Sequence, residues 1–252
     1  MTRRPSAHAL LAPALLGLAL LGLVPSTAAP LAGAATTASA PADTPRPPMA
    51  PWPSEDPEGW LLAHVDVETT GLDPAWHGMT DLGIAWTTLD GVELERLYLR
   101  ILPAHPERAD PGALAVNGFD EAYWRAHGAV DEAEAVRLFT AAHARVRGER
   151  QVLFTGFNAW FDQGFTSALF ARHGVAWRGL FHYHVLDLPS MAWARGCRGV
   201  TGPLLARELG LPAETRVPIE HTGMTGVDFN LSVYRALLAG RGCAGGGSDA
   251  PG

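Results

Sequence analysis

Asp66-Val67-Glu68-Thr69-Thr70-Gly71-Leu72, following the apolar run at 61–65, is the stretch on which the fold turns. In a strand, residues two apart point to the same face. Asp66 and Glu68 therefore project together, and Val65 and Val67 project to the other side. Two carboxylates held side by side repel each other unless a cation joins them. The apolar flanks argue for a central strand rather than a solvated edge carrying two ordinary acids. The pattern predicts a strand that ends in a metal-binding pair.

Working outward, residues 81–89 read as a second strand and 92–101 as a third. Asp90-Gly91 between them suits a two-residue hairpin turn, because both positions tolerate positive φ. The apolar phase of the third strand shifts around Glu95-Arg96, which marks a bulge. Ala133, Val136, Phe139 and Val146 form a helical stripe over 131–147. Residues 151–157 read as a fourth strand, and 162–173 as a helix with Phe161, Phe165 and Leu169 at i, i+4 spacing. A fifth strand is predicted at 181–186. Thr201 is a helix N-cap with Pro203 just inside, Gly210 ends that helix, and a last helix spans 228–238. A meander followed by strands interleaved with helices gives an α/β layer fold, here with a five-stranded mixed sheet.

Two further segments carry chemistry. Asn158-Ala159-Trp160-Phe161-Asp162 follows the fourth strand and opens a helix, the position where open α/β sheets place ligands. Asp162 alone is also explained as an acid suiting a helix dipole. His221 and Asp228 flank Gly223 and Gly226, so the segment between them reads as a loop. A single loop histidine is more often a surface residue than a catalyst. The company of two acidic motifs raises it. His182, His184 and Asp187 are read as strand residues followed by a helix cap rather than as a metal site.

In this order, Asp66-x-Glu68, Asp162, then His221 and Asp228, the chain resembles the DEDDh 3′–5′ exonucleases of the ribonuclease H-like fold. That group includes the proofreading subunit of bacterial DNA polymerase III, ribonuclease T and oligoribonuclease. The resemblance covers roughly residues 60–240, and Asn117-Gly118-Phe119 is similar to the segment between the motifs. It implies a three-layer fold and hydrolysis of single-stranded DNA or RNA from the 3′ end, releasing nucleoside 5′-monophosphates. It also implies two divalent ions, Mg²⁺ or Mn²⁺, held by Asp66, Glu68, Asp162 and Asp228, with His221 activating water. Thr69, Thr70, Gly71, Leu72, Asn158 and Phe165 are the implied substrate-binding residues, although Phe165 at helical spacing is also a core candidate. An RNA-trimming enzyme and a catalytically weakened nucleic-acid-binding module are the alternatives. One departure is visible. The family places its last Asp five positions after the His, whereas Asp228 follows His221 by seven, which reads as a two-residue loop insertion around 223–226.

Composition bounds the rest. Apolar residues at 47% and charged residues at 18% support a substantial core and exclude global disorder. A net charge of −7 argues against a long basic track for nucleic acid and for local positive charge from metal ions. Arg3 and Arg4, an apolar run at 9–24 and the small residues Ser26, Thr27, Ala28 and Ala29 form a secretory signal over 1–29. The run is too short for a lasting membrane anchor. Residues 30–58 are expected to be a disordered Ala/Pro-rich linker, 59–240 the exonuclease domain and 241–252 a disordered tail. The protein is then exported, to the periplasm or outside the cell. A start at Met49 would instead leave it cytoplasmic. Cys197 and Cys243 can pair in an oxidising compartment, but one half-buried thiol and one tail thiol is the reading favoured here.

Overall fold

A computed structural model describes residues 51–243. The expected signal at 1–29, the linker up to 50 and the tail from 244 lie outside the described residues. The strands are β1 (Trp60–Thr69), β2 (Met79–Thr87), β3 (Glu93–Leu102), β4 (Val130–Asp131), β5 (Gln151–Gly156) and β6 (Val185–Asp187). The helices are α1 (Pro111–Asn117), α2 (Glu121–Ala126), α3 (Glu132–Arg147), α4 (Ala159–Arg172), α5 (Trp177–Leu180), α6 (Leu188–Ala194), α7 (Gly202–Leu209) and α8 (Gly223–Leu238). The strands form one mixed sheet in the order β4-β3-β2-β1-β5-β6. It has six strands rather than the expected five, because β4, only two residues long, pairs parallel with β3.

Strict alternation along β1 divides the core. Leu61, Ala63, Val65 and Val67 pack with Phe139 of α3 and with Phe165 and Leu169 of α4. Trp60 and Leu62 face the other way, toward α6, α7 and α8, where Leu205, Val233 and Leu237 close a second layer. Burying a Val, Leu or Phe side chain is worth about 1.5–3 kcal/mol. With both faces covered, β1 is fixed as the central strand of a three-layer sandwich.

Several boundaries differ from those predicted. The β2–β3 connection is not a two-residue turn. Gly91 N–H donates to Thr88 O, Thr88 N–H donates to Val92 O, and Gly91 takes φ +83°, giving a three-residue loop with glycine in the left-handed position. The β3 irregularity lies between Glu93 and Glu95, opposite Trp86 and Thr87, close to the expected bulge. The fifth expected strand shrinks to β6, because Phe181 ends the turn of α5.

The linker reading also extends too far. Pro51 O accepts from Trp60 Nε1 at 2.8 Å, and Trp52 meets the ring of His182 edge-on, so residues 51–58 lie against the domain. At the other end, Cys197 and Cys243 form a disulfide, which overturns the free-thiol reading and attaches the start of the expected tail to the loop after α6. No helix among the described residues is long and apolar enough to cross a membrane.

Helix α8 starts at Gly223, five residues earlier than predicted, with Thr222 and Thr225 forming a reciprocal cap. The glycines read as loop signals serve close packing instead. A Cβ on Gly83 of β2 would lie 2.6 Å from Met224 N, and one on Gly223 would lie 2.6 Å from Gly83 N. Backbone thus rests on backbone where α8 crosses β2, an approach open only to glycine.

Candidate active site

Strand β1 outruns its parallel neighbour, since pairing with β5 ends at His64 opposite Thr155. Beyond that point backbone groups must find other partners. Val67 N–H donates to Asp162 Oδ1 at 3.1 Å, and Val65 O accepts from Asn230 Nδ2 at 3.0 Å. One helix on each face is therefore tied to the open end of β1. Asp162 sits in the first turn of α4, behind Asn158, the one non-glycine residue with positive φ among the described residues.

Asp66, Glu68 and Asp162 meet at this strand end. Burial first, and then the charges of Asp162 and Glu68, hold the Asp66 carboxyl well above its ordinary range. Asp162 is likewise raised by burial and by Glu68, against the hydrogen bond from Val67. Burial pushes Glu68 up to about 8, opposed by the nearby His221. Opposite Glu68 in the β1–β2 ladder lies Asp81, raised by burial to about 7. Its oxygens accept from Gly223 N–H at 2.8 Å and from Tyr98 Oη at 3.2 Å, so it caps the start of α8.

His221 enters the same cleft. Its Nε2 lies 3.2 Å from Glu68 Oε1. Its Nδ1 lies 3.1 Å from Thr215 O and 3.3 Å from Glu214 Oε1. The hydrogen bond with Glu214 is the main influence raising the imidazole above its usual value.

Asp228 does not join this group. Its side chain is 58% exposed on the outer side of α8 and pairs with Arg96 at 3.1 Å. There is no loop insertion to bring it inward, because 223–228 is continuous helix. The α8 residue that faces Asp66 is Gly226, five positions after His221. A Cβ there would lie 2.7 Å from Asp66 Oδ1 and closer still to the rest of the carboxyl group. The position where the resemblance requires an acid thus holds a glycine, and Asp66 occupies the space beside it.

The expected substrate residues also divide. Phe165 is buried in the core against Phe161, which removes it from the cleft wall. The Thr69 hydroxyl donates to Gly71 O at 2.7 Å, and the Thr70 hydroxyl accepts from Gly78 N–H at 2.9 Å, so both serve the loop internally. Gly71 lies against the His77 ring. Leu72, at 81% exposed, and Asn158 do reach solvent. Sequence reasoning missed Asp81 and Glu214. Asp81 is foreshadowed only by its place at the start of a strand, and Glu214 lies in a connection with no repeating pattern.

The donor set suits a hard divalent cation: several buried carboxylates that raise one another, with no protein donor reaching Asp66 among the described residues. The acids are not drawn together as one tight shell. Among the described residues, the one set of three possible donors within 4.8 Å of one another is Cys197, Glu208 and Cys243, whose sulfurs are bonded to each other.

Solved structures share this architecture. A structure described as showing how exonuclease I achieves processivity matches with a TM-score of 0.59 and 17% identity, covering 71% of this chain and 41% of that one. The fold is that of exonuclease I. A zinc-bound complex of E. coli exonuclease I with single-stranded DNA matches equally, with a TM-score of 0.59, 17% identity and coverage of 72% and 41%. The E. coli exonuclease I complex with a dA16 oligonucleotide matches with a TM-score of 0.58, 18% identity and coverage of 71% and 41%. The chain therefore spans about two fifths of the exonuclease I chains it matches. No protein-family profile matches the sequence.

Proposed function

We propose that the protein is a metal-dependent 3′–5′ exonuclease acting on single-stranded nucleic acid. The observation that carries this reading is His221 Nε2 at 3.2 Å from Glu68, in one cleft with Asp66 and Asp162 at the open end of β1. Divalent cations, Mg²⁺ or Mn²⁺, would be held by Asp66, Glu68 and Asp162, and would supply the charge that polarises a phosphodiester and acidifies water. In this reading His221 would take the proton of the attacking water at Nε2, with Nδ1 facing Glu214 and Thr215. Exposed Leu72 and Asn158 would line the terminal nucleotide in this reading, with the exonuclease I complexes with oligonucleotides as the fold-level support.

Purified full-length protein, Mn²⁺ and 5′-labelled single-stranded DNA and RNA oligomers of one sequence test the reading. Ladders shortened from the 3′ end, abolished by EDTA, are expected. The ratio of the two rates separates a DNA exonuclease from an RNA trimmer, which 2′-OH recognition decides. Intact oligomers with metal present would end the exonuclease reading. Gly226 favours one second reading, a nucleic-acid-binding module with weakened catalysis. Retention of oligomers without cleavage would identify it. Export belongs to the same proposal, supported by the Cys197–Cys243 bond, which persists in oxidising compartments. Sequencing the native N-terminus tests it, and a start at Met49 would refute it.

A further inference from the structure

The loop from Thr70 to Gly78, which carries exposed Leu72 just beyond Glu68, also carries Trp76, 54% exposed. Hydrogen bonds hold this loop in one shape. Trp76 N–H and His77 N–H both donate to Asp73 O, at 3.0 and 2.8 Å, and Thr70 N–H donates to Gly78 O at 2.8 Å. Asp73 N–H donates to His77 Nδ1 at 3.1 Å. A Cβ on Gly164, two residues after Asp162, would lie 3.6 Å from Pro74, so the loop rests on α4 beside the cleft. Four residues span at most about 14 Å, and the turn at Asp73 brings Trp76 closer to Leu72 than that.

The Arg108 guanidinium lies over the Trp76 ring, 4.2 Å from its centroid, and Nη1 donates to Trp76 O at 3.5 Å. Asp110 N–H donates to Thr70 O at 2.7 Å, which fastens the segment carrying Arg108 to the same loop. Beside the pair is a cavity of about 150 Å³, lined by Trp76, His77, His105, Arg108, Glu132 and Arg172 among others. Its acid is engaged: Glu132 pairs with Arg172 at 3.1 Å and lies 3.4 Å from His173. Glu107 lies 3.0 Å from His105 and 4.0 Å from Arg108. Among the described residues, no carboxylate comes within hydrogen-bonding distance of Arg108.

Resting on the exonuclease reading, we propose that Trp76 and Arg108 form a second foothold for single-stranded nucleic acid, holding a nucleotide on the 5′ side of the one at the cleft. The base stacks on the part of the indole that Arg108 leaves open, and the phosphate meets the guanidinium at the mouth of the cavity. Every base has a π face, so this grip is tolerant of sequence. A single cation fixed on an aromatic ring suits a chain of net charge −7, which has no excess of basic residues for a long phosphate track. Because Leu72 and Trp76 share one hydrogen-bonded loop, a strand held at the foothold is in register with the cleft.

Fluorescence anisotropy of a labelled thymidine decamer tests this by binding alone. The decamer carries phosphorothioate linkages at its 3′ end, and Ca²⁺ replaces Mn²⁺, so that affinity is read without cleavage. Full-length wild type, Trp76→Ala, Trp76→Phe, Arg108→Gln and Trp193→Ala are compared, with thermal melts as a folding check. Trp193 is the matched control: it is 51% exposed on α6, with the Arg198 guanidinium 4.3 Å from its ring centroid. Trp76→Ala is expected to weaken decamer affinity about 10-fold or more, as for one lost base stack, and Trp76→Phe to recover most of the loss. Arg108→Gln should make the slope of log affinity against log salt shallower by about one, as for one lost phosphate contact. Trp193→Ala should bind as wild type. Wild-type affinity in Trp76→Ala, an unchanged salt slope in Arg108→Gln or an equal loss in Trp193→Ala would overturn the proposal. So would failure of phenylalanine to recover binding, which would trace the loss to the shape of the loop. Trp76-dependent binding by a protein that shortens no oligomer with Mn²⁺ would sink the exonuclease reading and leave the foothold standing. Shortening with wild-type affinity in every variant would do the reverse.

Discussion

Gly226 and Asp66 face each other across the floor of the cleft, the glycine leaving only enough room for the carboxyl group opposite. This pair, rather than His221 and Asp228, defines where α8 meets β1. It also ranks the acids. Asp66→Asn and Glu68→Gln are expected to lower exonuclease activity by at least about 100-fold, within the range for loss of a metal-site or proton-transfer group. Asp228→Asn should leave activity within about twofold and cost less than about 1 kcal/mol, because its pair with Arg96 is exposed. Initial rates and urea midpoints of the three variants check this, and inactivity of Asp228→Asn at normal stability would refute it.

Stability of the metal-free protein should fall as pH rises from about 6.5 to 8. Glu68 is raised to about 8 and Asp81 to about 7, so in this window the native state binds more protons than the unfolded chain. The slope of unfolding free energy with pH is then negative. Buried His64, lowered to about 3, and His143, lowered to about 4, act in the opposite sense only below their ordinary value of 6.5. Melting temperatures in EDTA should therefore drop across the window, and Mn²⁺ should restore more stability at pH 8 than at pH 6.5. A flat or rising profile in EDTA would contradict the burial of these acids.

Gly83→Ala should destabilise the protein by about 1–3 kcal/mol. The added methyl would meet Gly223 and Met224 backbone, which no side-chain rotation can relieve. Activity should fall with stability, because α8 would be pushed off β1. Urea denaturation with a parallel rate measurement tests it, and wild-type behaviour would show that α8 does not rest on β2 as described.

Reduction of Cys197–Cys243, 46 residues apart in sequence, should cost up to about 4 kcal/mol by loop-closure entropy. A lowered denaturation midpoint in dithiothreitol is expected, and an unchanged midpoint would mean the two thiols are not joined in the protein.

Much of this architecture was legible because period and burial coincide. The alternation of Val65 and Val67 against Asp66 and Glu68 survives intact, since β1 is covered on both faces. Asp162 was legible through its place after an apolar strand. The start of α8 was not. Gly223 and Gly226 carry the local signature of a loop, and only the tertiary contact with Gly83 and Asp66 makes them helical. Misplacing that start moved the fourth acid to Asp228. Glu214 and the Cys197–Cys243 pair depend on distant segments of chain meeting, which no local pattern encodes.

Helical phase has a last consequence. An α-helix turns about 100° per residue, so the two positions from 226 to 228 carry a side chain roughly 200° around the axis. No small tilt or slide of α8 can swing Asp228 inward, and its glycine-to-strand seating leaves little room for either. Reinstating an acid on this helix would take a paired change, one substitution at 226 and a new side-chain pose for Asp66, neither of which helps without the other.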